Sequence, residues 1–86
     1  MPQETVEVVH PEGLHARPAA EFVKLANRYK SSVKVRLNGR EVNGKSIMAV
    51  MGLGANVGAR VELVVEGDDA PEAFRSLKTF LTERSV

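Results

Sequence analysis

The sequence predicts an α+β fold in which three helices cover one face of a four-stranded antiparallel sheet. Two observations carry this prediction: segments with the period of a strand alternate with segments of helical period, and an Asn-Gly pair marks a hairpin. The resulting element order is β-α-β-β-α-β-α. A right-handed first crossover leaves a gap that the last strand fills, which gives the strand order 1-4-2-3 of a split β-α-β sheet.

Four segments have the sequence pattern of half-buried strands. Residues 4–9, 33–37 and 60–66 each carry valine or leucine at alternate positions. Residues 40–42 return as a short edge strand after Asn38-Gly39, because both residues of this pair tolerate the positive φ of a tight turn. Charged side chains on this strand protect the open edge of the sheet.

The three helices are predicted from apolar stripes and from their caps. A stripe with helical period runs from residue 16 to about residue 27. Ser46 is the expected N-cap of a short helix over residues 47–53, which Gly54 ends. Asp69 is the expected N-cap of the last helix, the cleanest amphipathic segment of the chain.

Size and composition limit the functions that this chain can have. A chain of 86 residues is expected to form one domain, over residues 1–86. A net charge of +1 gives no general attraction to nucleic acid or to a membrane surface, and the absence of cysteine removes disulfides and thiolate metal sites. Without a signal peptide or a long apolar segment, we expect a cytoplasmic monomer that neither inserts into membranes nor binds nucleic acid.

The first candidate site surrounds His15, at the point where an extended segment gives way to a helix. Gly13 permits a sharp turn, and Pro18 is tolerated in a first helical turn. The backbone amides of Ala16 and Arg17, with the positive end of the helix dipole, would bind an anion, and the Arg17 guanidinium would add to them. The same field favours a neutral imidazole, which suits attack on a phosphoryl group.

More ordinary interpretations of these residues remain open at this stage. A single histidine near a helix start is often only a cap or a solvated residue, and Arg17 alone would be a surface charge. A small metal or hydrolytic enzyme using His10 and His15 is disfavoured, because no suitable set of carboxylates or cysteines accompanies them. No cofactor and no metal are therefore expected.

The second candidate site is the segment of residues 45–51. A helix of seven or eight residues cannot bury all of its apolar side chains on one side, so Met48 and Met51 either fill core gaps or face solvent. Ser46 either caps the helix only or also receives a phosphate, which the helix N-terminus would stabilise.

The motifs Gly13-Leu14-His15-Ala16-Arg17-Pro18-Ala19, Lys45-Ser46-Ile47-Met48 and Leu53-Gly54 resemble those of the HPr family. HPr proteins are the histidine-containing phosphocarriers of the bacterial sugar phosphotransferase system, and the resemblance spans the whole chain. It implies an open-faced β-sandwich and a carrier rather than a stand-alone enzyme. By this resemblance His15 accepts a phosphoryl group on Nδ1 from enzyme I and passes it to enzyme IIA domains, while Arg17 attends the phosphate.

The resemblance to the Ser-Ile-Met branch of the family also implies regulation. In that branch the residue matching Ser46 is modified by HPr kinase/phosphorylase, and the modified protein is a partner in carbon catabolite control. A carrier needs weak interfaces, and an apolar patch with basic neighbours suits partners that have an acidic rim. The residues expected to face partners are Leu14, Lys24, Arg28, Lys45, Ile47, Met48 and Met51.

This interpretation has two alternatives, and the sequence departs from the family pattern in two places. The alternatives are a purely regulatory HPr-like paralogue, which could dispense with His15, and a nitrogen-related branch with the same chemistry but other partners. Glu12 brings a negative charge near His15 where better-known members carry a small polar residue. Residues 83–86 lack the acidic ending of some members, which leaves the resting partner of Arg17 open.

Overall fold

The computed structural model describes residues 3–9 and 13–82, which form four strands and three helices in the predicted order. The elements are β1 (Gln3–Glu7), α1 (Ala16–Ala26), β2 (Ser32–Leu37), β3 (Arg40–Asn43), α2 (Ile47–Leu53), β4 (Arg60–Glu66) and α3 (Ala70–Thr82).

The sheet has the predicted antiparallel order, β1-β4-β2-β3. The last strand in the chain, β4, therefore lies between β1 and β2, and Val61 of β4 pairs with Val6 of β1. The hairpin between β2 and β3 turns at Asn38 and Gly39, whose φ values of 52° and 84° are those that favour Asn-Gly in a tight turn. Both predictions are confirmed.

One face of the sheet and the buried stripes of the helices share a single hydrophobic cluster. Phe22 of α1 is fully buried and its ring centroid lies 6.1 Å from that of Phe80 of α3, at an interplanar angle of 60°. This tilted pair joins the two long helices above the sheet. The arrangement confirms the predicted α+β class with a sheet covered on one face. The fully buried members with the largest side chains include Phe22, Leu14, Leu63, Leu77 and Leu81.

The other face of the sheet carries charges that pair across the strands. The Arg36 guanidinium lies 2.7 Å from a carboxylate oxygen of Glu41 and 2.9 Å from one of Glu62, and Lys34 lies 3.7 Å from Glu41. The hydrogen bond from Arg36 lowers the pKa of the Glu41 carboxyl. Val64 shares this face with Glu62, yet it is buried.

The first strand ends earlier than its sequence pattern predicts. β1 stops at Glu7 rather than continuing to residue 9. The Val8 N–H donates to the Ala59 carbonyl and the Val9 N–H donates to the Leu81 carbonyl, both outside the β4 ladder. Val8 is fully buried, so its apolar character reflects the core and not a longer strand.

Asp69 lies at the predicted N-cap position of α3, and its carboxylate bonds to a different segment of the chain. Its backbone carbonyl accepts from the Ala73 N–H, as at a helix start. The carboxylate instead accepts from the backbone N–H groups of Lys30 and Ser31, at 2.9 and 3.0 Å, and from the Ser31 hydroxyl. Gly67 permits this approach, since a Cβ there would lie 2.6 Å from Ser31 Oγ. Asp69 therefore ties α3 to the connection between α1 and β2.

These bonds predict an acid-sensitive contribution to stability. The Ser31 hydroxyl, followed by the Lys30 amide, lowers the pKa of Asp69 in the folded protein. The carboxylate therefore stabilises the fold above its unfolded pKa of about 4, and this contribution disappears as the pH falls through the lower folded value. We expect Asp69→Ala to lower the urea midpoint at about pH 7 and to leave it almost unchanged near pH 2.

Asp68→Ala is the matched control for this experiment. Asp68 is the exposed neighbour and makes no hydrogen bond or ion pair to another residue of the described ranges. Its replacement should leave the midpoint close to wild type at both pH values. Equal losses for Asp69→Ala at the two pH values would contradict the assignment.

The longest helix in the described ranges is α3, with 13 residues. None of the helices in residues 3–9 and 13–82 has the length and hydropathy needed to cross a bilayer.

Candidate functional site

His15 stands at the start of α1 on an exposed corner of the molecule. It is the N-cap residue, with the extended backbone angles φ −113° and ψ 159°, and its side chain makes no capping bond. The preceding residue, Leu14, is fully buried, and its N–H donates to the Ala55 carbonyl at 2.7 Å. The backbone at His15 is thus held between a buried anchor and a helix, while its imidazole reaches solvent.

Gly13 makes this corner possible. Its φ is +64°, and a Cβ on it would lie 2.9 Å from the Ala55 carbonyl oxygen and 3.0 Å from Asn56 Cα. A larger residue would push apart the chain before α1 and the loop of residues 54–59. The glycine therefore allows these two segments to touch.

The imidazole of His15 has a partner that lies far away in sequence. Its Nε2 is 2.5 Å from Oδ1 of Asn56, 41 positions further along the chain. Because an amide oxygen only accepts, the Nε2–H donates in this pair. In the neutral ring, Nδ1 then carries the lone pair, and Nδ1 has no hydrogen bond to any residue within 3–9 and 13–82.

The first turn of α1 presents unpaired backbone donors. The N–H groups of Ala16 and Arg17 have no hydrogen-bond partner in the described part of the chain, and Pro18 has no N–H. The first turn contains no acidic residue, so the positive end of the helix dipole is not neutralised locally. This first turn therefore has donors that suit the predicted anion site beside His15, which stays a prediction.

The backbone at Ala16 is strained. Its φ of 31° is positive, in a region that side chains other than glycine rarely adopt. Such a conformation costs about 1–3 kcal/mol and persists only where the surroundings hold it. Here it lies between His15 and Arg17, so the strain is placed within the candidate site.

The basic residues expected around the site have different environments. Arg17, Lys24 and Arg28 are exposed, and their side chains form no ion pair with a carboxylate of residues 3–9 or 13–82. Lys45 is half-buried, and its ammonium donates to the Tyr29 carbonyl at 2.8 Å. Lys45 therefore joins the segment before α2 to the turn that follows α1, a use that the sequence did not reveal.

The α2 segment divides its side chains between core and solvent. Val50 and Leu53 are buried, whereas Met48 is 80% exposed, and Ile47 and Met51 are 44% and 40% exposed. Of the two possibilities for the methionines, the structure therefore selects the solvent-facing one. Ile47, Met48 and Met51 form an exposed apolar patch, which we call the α2 patch.

Ser46 begins α2 as predicted. Its Oγ accepts from the Ala49 N–H at 3.3 Å, and its carbonyl accepts from the Val50 N–H at 3.0 Å. Gly54 ends the helix with φ 74°, in the left-handed conformation expected of a terminating glycine. Both caps are confirmed.

Some predictions are corrected, and others lie outside the described residues. Leu14 was expected to face partners, but it is fully buried. The side chains of Leu14 and His15 point in opposite directions, so that the Leu14 side chain faces the core. The expectations for His10, Glu12 and the segment 83–86 concern residues that the structure does not describe.

Two residues near the site, Asn56 and Val57, have no local sequence signal that marks them as functional. Gly54 and Gly58 mark a turn on either side of them, but nothing local indicates that Asn56 meets His15. Val57 is 56% exposed, and no motif includes it. Among residues 3–9 and 13–82, no group of three His, Cys, Asp or Glu side chains is placed to hold a metal ion.

Comparison with known proteins identifies the family. A family model described as the PTS HPr component phosphorylation site matches residues 2–83. The chain belongs to the HPr family. The resemblance carried by the motifs around His15 and Ser46 is thereby confirmed.

Relatives within the HPr family include both carriers and a paralogue. The chain is 45% identical over 83 residues to HPr-like protein Crh of Bacillus subtilis, covering 96% of this chain and 98% of Crh. It is 43% identical over 79 residues to phosphocarrier protein HPr of Lysinibacillus sphaericus, covering 92% and 90%. The crystal structure of a phosphocarrier protein HPr from Bacillus anthracis superposes with a TM-score of 0.91 at 40% identity, covering 93% and 95%.

The exposure of Met48 predicts that its replacement is tolerated. We expect Met48→Glu to change the free energy of unfolding by less than about 0.5 kcal/mol, because the side chain already lies in water. Leu53→Ala, on the buried side of the same helix, should cost about 2–5 kcal/mol. Urea denaturation of both variants measures the contrast, and a large loss for Met48→Glu would place that side chain in the core.

Proposed function

We propose that this protein is a phosphocarrier, in which His15 accepts a phosphoryl group from phosphorylated enzyme I and passes it to enzyme IIA domains. One observation carries the proposal: an exposed imidazole lies at a helix N-terminus whose Ala16 and Arg17 amides are unpaired among the described residues. The site thus combines a nucleophile with donors for the charge that it receives. Membership of the HPr family supports the same conclusion.

The chemistry needs little from this chain beyond positioning. The Nδ1 lone pair attacks the phosphorus, a bond from nitrogen to phosphorus forms, and the bond to the donor breaks. The amides of Ala16 and Arg17 and the Arg17 guanidinium balance the phosphate charge. Transfer to the next protein reverses these steps, so the chain acts as a carrier between partners and not as an enzyme on its own.

The α2 patch is the proposed docking surface for these partners. Ile47, Met48 and Met51 are exposed in the described part of the chain, and flexible methionine side chains can adapt to several surfaces. The exposed cations Arg17, Lys24 and Arg28 would meet an acidic rim. Enzyme I and the enzyme IIA domains would therefore share one face of this protein, which limits it to one partner at a time.

Ser46 is the proposed site of regulation by phosphorylation. A phosphate on Oγ would remain at the N-terminus of α2, where the dipole stabilises negative charge. It would also add about two negative charges beside the α2 patch. We propose that an HPr kinase/phosphorylase makes this modification, and that the modified form contacts a catabolite-control regulator.

A purely regulatory role is the second candidate. It is favoured by the 45% identity with HPr-like protein Crh of Bacillus subtilis, a protein described as a catabolite repression HPr. The presence of His15 in an exposed position, with an anion site beside it, favours the carrier. The two roles differ in one measurable property, which is phosphoryl acceptance at His15.

Acceptance is tested with phosphoenolpyruvate and a general enzyme I. We expect the wild-type protein to acquire an acid-labile phosphoryl group, because a phosphoramidate hydrolyses in acid, and we expect His15→Ala to acquire none. His10→Ala is the matched control and should be labelled like wild type. A wild type that stays unlabelled, or a labelled His15→Ala, would remove the carrier function.

The regulatory proposal predicts that Ser46→Asp slows acceptance at His15 by repelling an acidic partner. Aspartate also caps helices, so the variant should keep the stability of wild type, whereas Ser46→Ala should lose about 1 kcal/mol without slowing acceptance. The difference in rate should shrink as salt is added. Rates that are equal at all salt concentrations would contradict this mechanism.

A further inference from the structure

We propose that Asn56 is a positioning residue, which keeps a proton on Nε2 of His15 and leaves Nδ1 free to take the phosphoryl group. The consequence for transfer rests on the proposed carrier function. The effect on the imidazole itself does not, because it concerns the free protein. The two parts can therefore be tested separately.

The first support is that Asn56 restrains the imidazole ring of His15, whereas α1 does not. The His15 side chain makes no capping bond, and its ring lies at an exposed position. Within residues 3–9 and 13–82, Asn56 Oδ1 is the hydrogen-bond partner of this ring, at 2.5 Å from Nε2. Without it, the imidazole would be free to rotate and to exchange its proton between the two nitrogens.

The second support is that the backbone of Asn56 is held firmly relative to His15. Ala55, just before it, is fully buried and accepts from the Leu14 N–H, just before His15. The Asn56 carbonyl accepts from the Ala59 N–H at 2.9 Å, and the Gly58 N–H donates to the Val8 carbonyl at 2.7 Å. The amide group is therefore presented to the ring from a fixed platform.

The third support is that the fold does not need the Asn56 side chain. The turn uses the backbone carbonyl of Asn56, and its φ is not among the positive values that favour asparagine. No other residue of the described ranges bonds to its side-chain amide. Alanine can therefore replace it without strain, and the contact with His15 is what such a change removes.

This contact determines which ring nitrogen of His15 holds the proton during transfer. In the free protein the Nε2–H donates to Oδ1 and the lone pair is on Nδ1. When Nδ1 bonds to phosphorus, the electron pair of the broken bond leaves with the donor, and the ring becomes a cation that retains its Nε2–H. Oδ1 then accepts from a charged donor, a stronger bond than before. On transfer onward the pair returns to Nδ1, so no proton moves in either direction.

Nitrogen-15 NMR of the imidazole tests the first part, since its chemical shifts report which nitrogen is protonated. The measurement is made at about pH 9, where an ordinary imidazole is neutral. We expect the Nε2–H form to dominate in wild type and the ratio of Nε2–H to Nδ1–H forms to fall about threefold to tenfold in Asn56→Ala. Asn56→Asp keeps an acceptor and should restore the wild-type ratio.

The matched control is Asn38→Gly, which removes an exposed asparagine at a positive φ where glycine is tolerated. It should leave both the ratio and the transfer rate unchanged. A wild-type ring with most of its proton on Nδ1 would mean that Asn56 donates its amide instead, and would overturn the proposal. So would an unchanged ratio in Asn56→Ala.

Single-turnover transfer from phosphorylated enzyme I tests the second part. We expect Asn56→Ala to slow acceptance about threefold to tenfold with an unaltered thermal melt, because fewer rings present a free Nδ1. Asn56→Asp should also be slow, since its charge opposes the incoming phosphate although the proton is correctly placed. A changed ratio with an unchanged rate in Asn56→Ala would contradict the role in transfer. A wild type that accepts nothing would contradict the carrier function and leave the NMR test of Asn56 intact.

Discussion

The contact between the start of α1 and the loop of residues 54–59 is the constraint on which the site depends. It consists of the Leu14 N–H bond to the Ala55 carbonyl and of the close approach of Gly13 to the same loop. The contact exists because β4 lies next to β1 in the sheet. The loop that leads into β4 must then pass beside the segment that leaves β1. Sheet topology thus brings Asn56 to His15.

The proposed anion site consists of backbone N–H groups that α1 leaves unpaired among the described residues. Every helix has unpaired N–H groups in its first turn, and most helices cover them with a side-chain cap or an acidic residue. Here the N-cap residue makes no capping bond, and the first turn has no acidic residue. The strained backbone at Ala16 lies two residues after the buried anchor at Leu14. Such an arrangement suits a phosphate that binds and leaves.

The short helix α2 both packs against the core and exposes an apolar patch. Val50 and Leu53 attach it to the core, while the α2 patch remains exposed because seven residues provide fewer than two full turns of buried stripe. Its N-cap, Ser46, adjoins that patch. A change in charge at the cap therefore acts directly on the proposed docking surface, without any rearrangement of the fold.

Local sequence patterns determined most of the architecture. The alternation of valines, the Asn38-Gly39 turn and the caps at Ser46 and Gly54 act over a few residues. The turn and both caps lie where they were predicted, and the valine pattern located the strands, although β1 ends at Glu7. The motif around His15 likewise sufficed to indicate an anion site, because helix termini have the same donors in any protein. Only the tertiary structure decided that Leu14 is core, that Asp69 and Lys45 join separate elements, and that Asn56 meets His15. These outcomes depend on packing between segments distant in the chain, for which no local pattern exists.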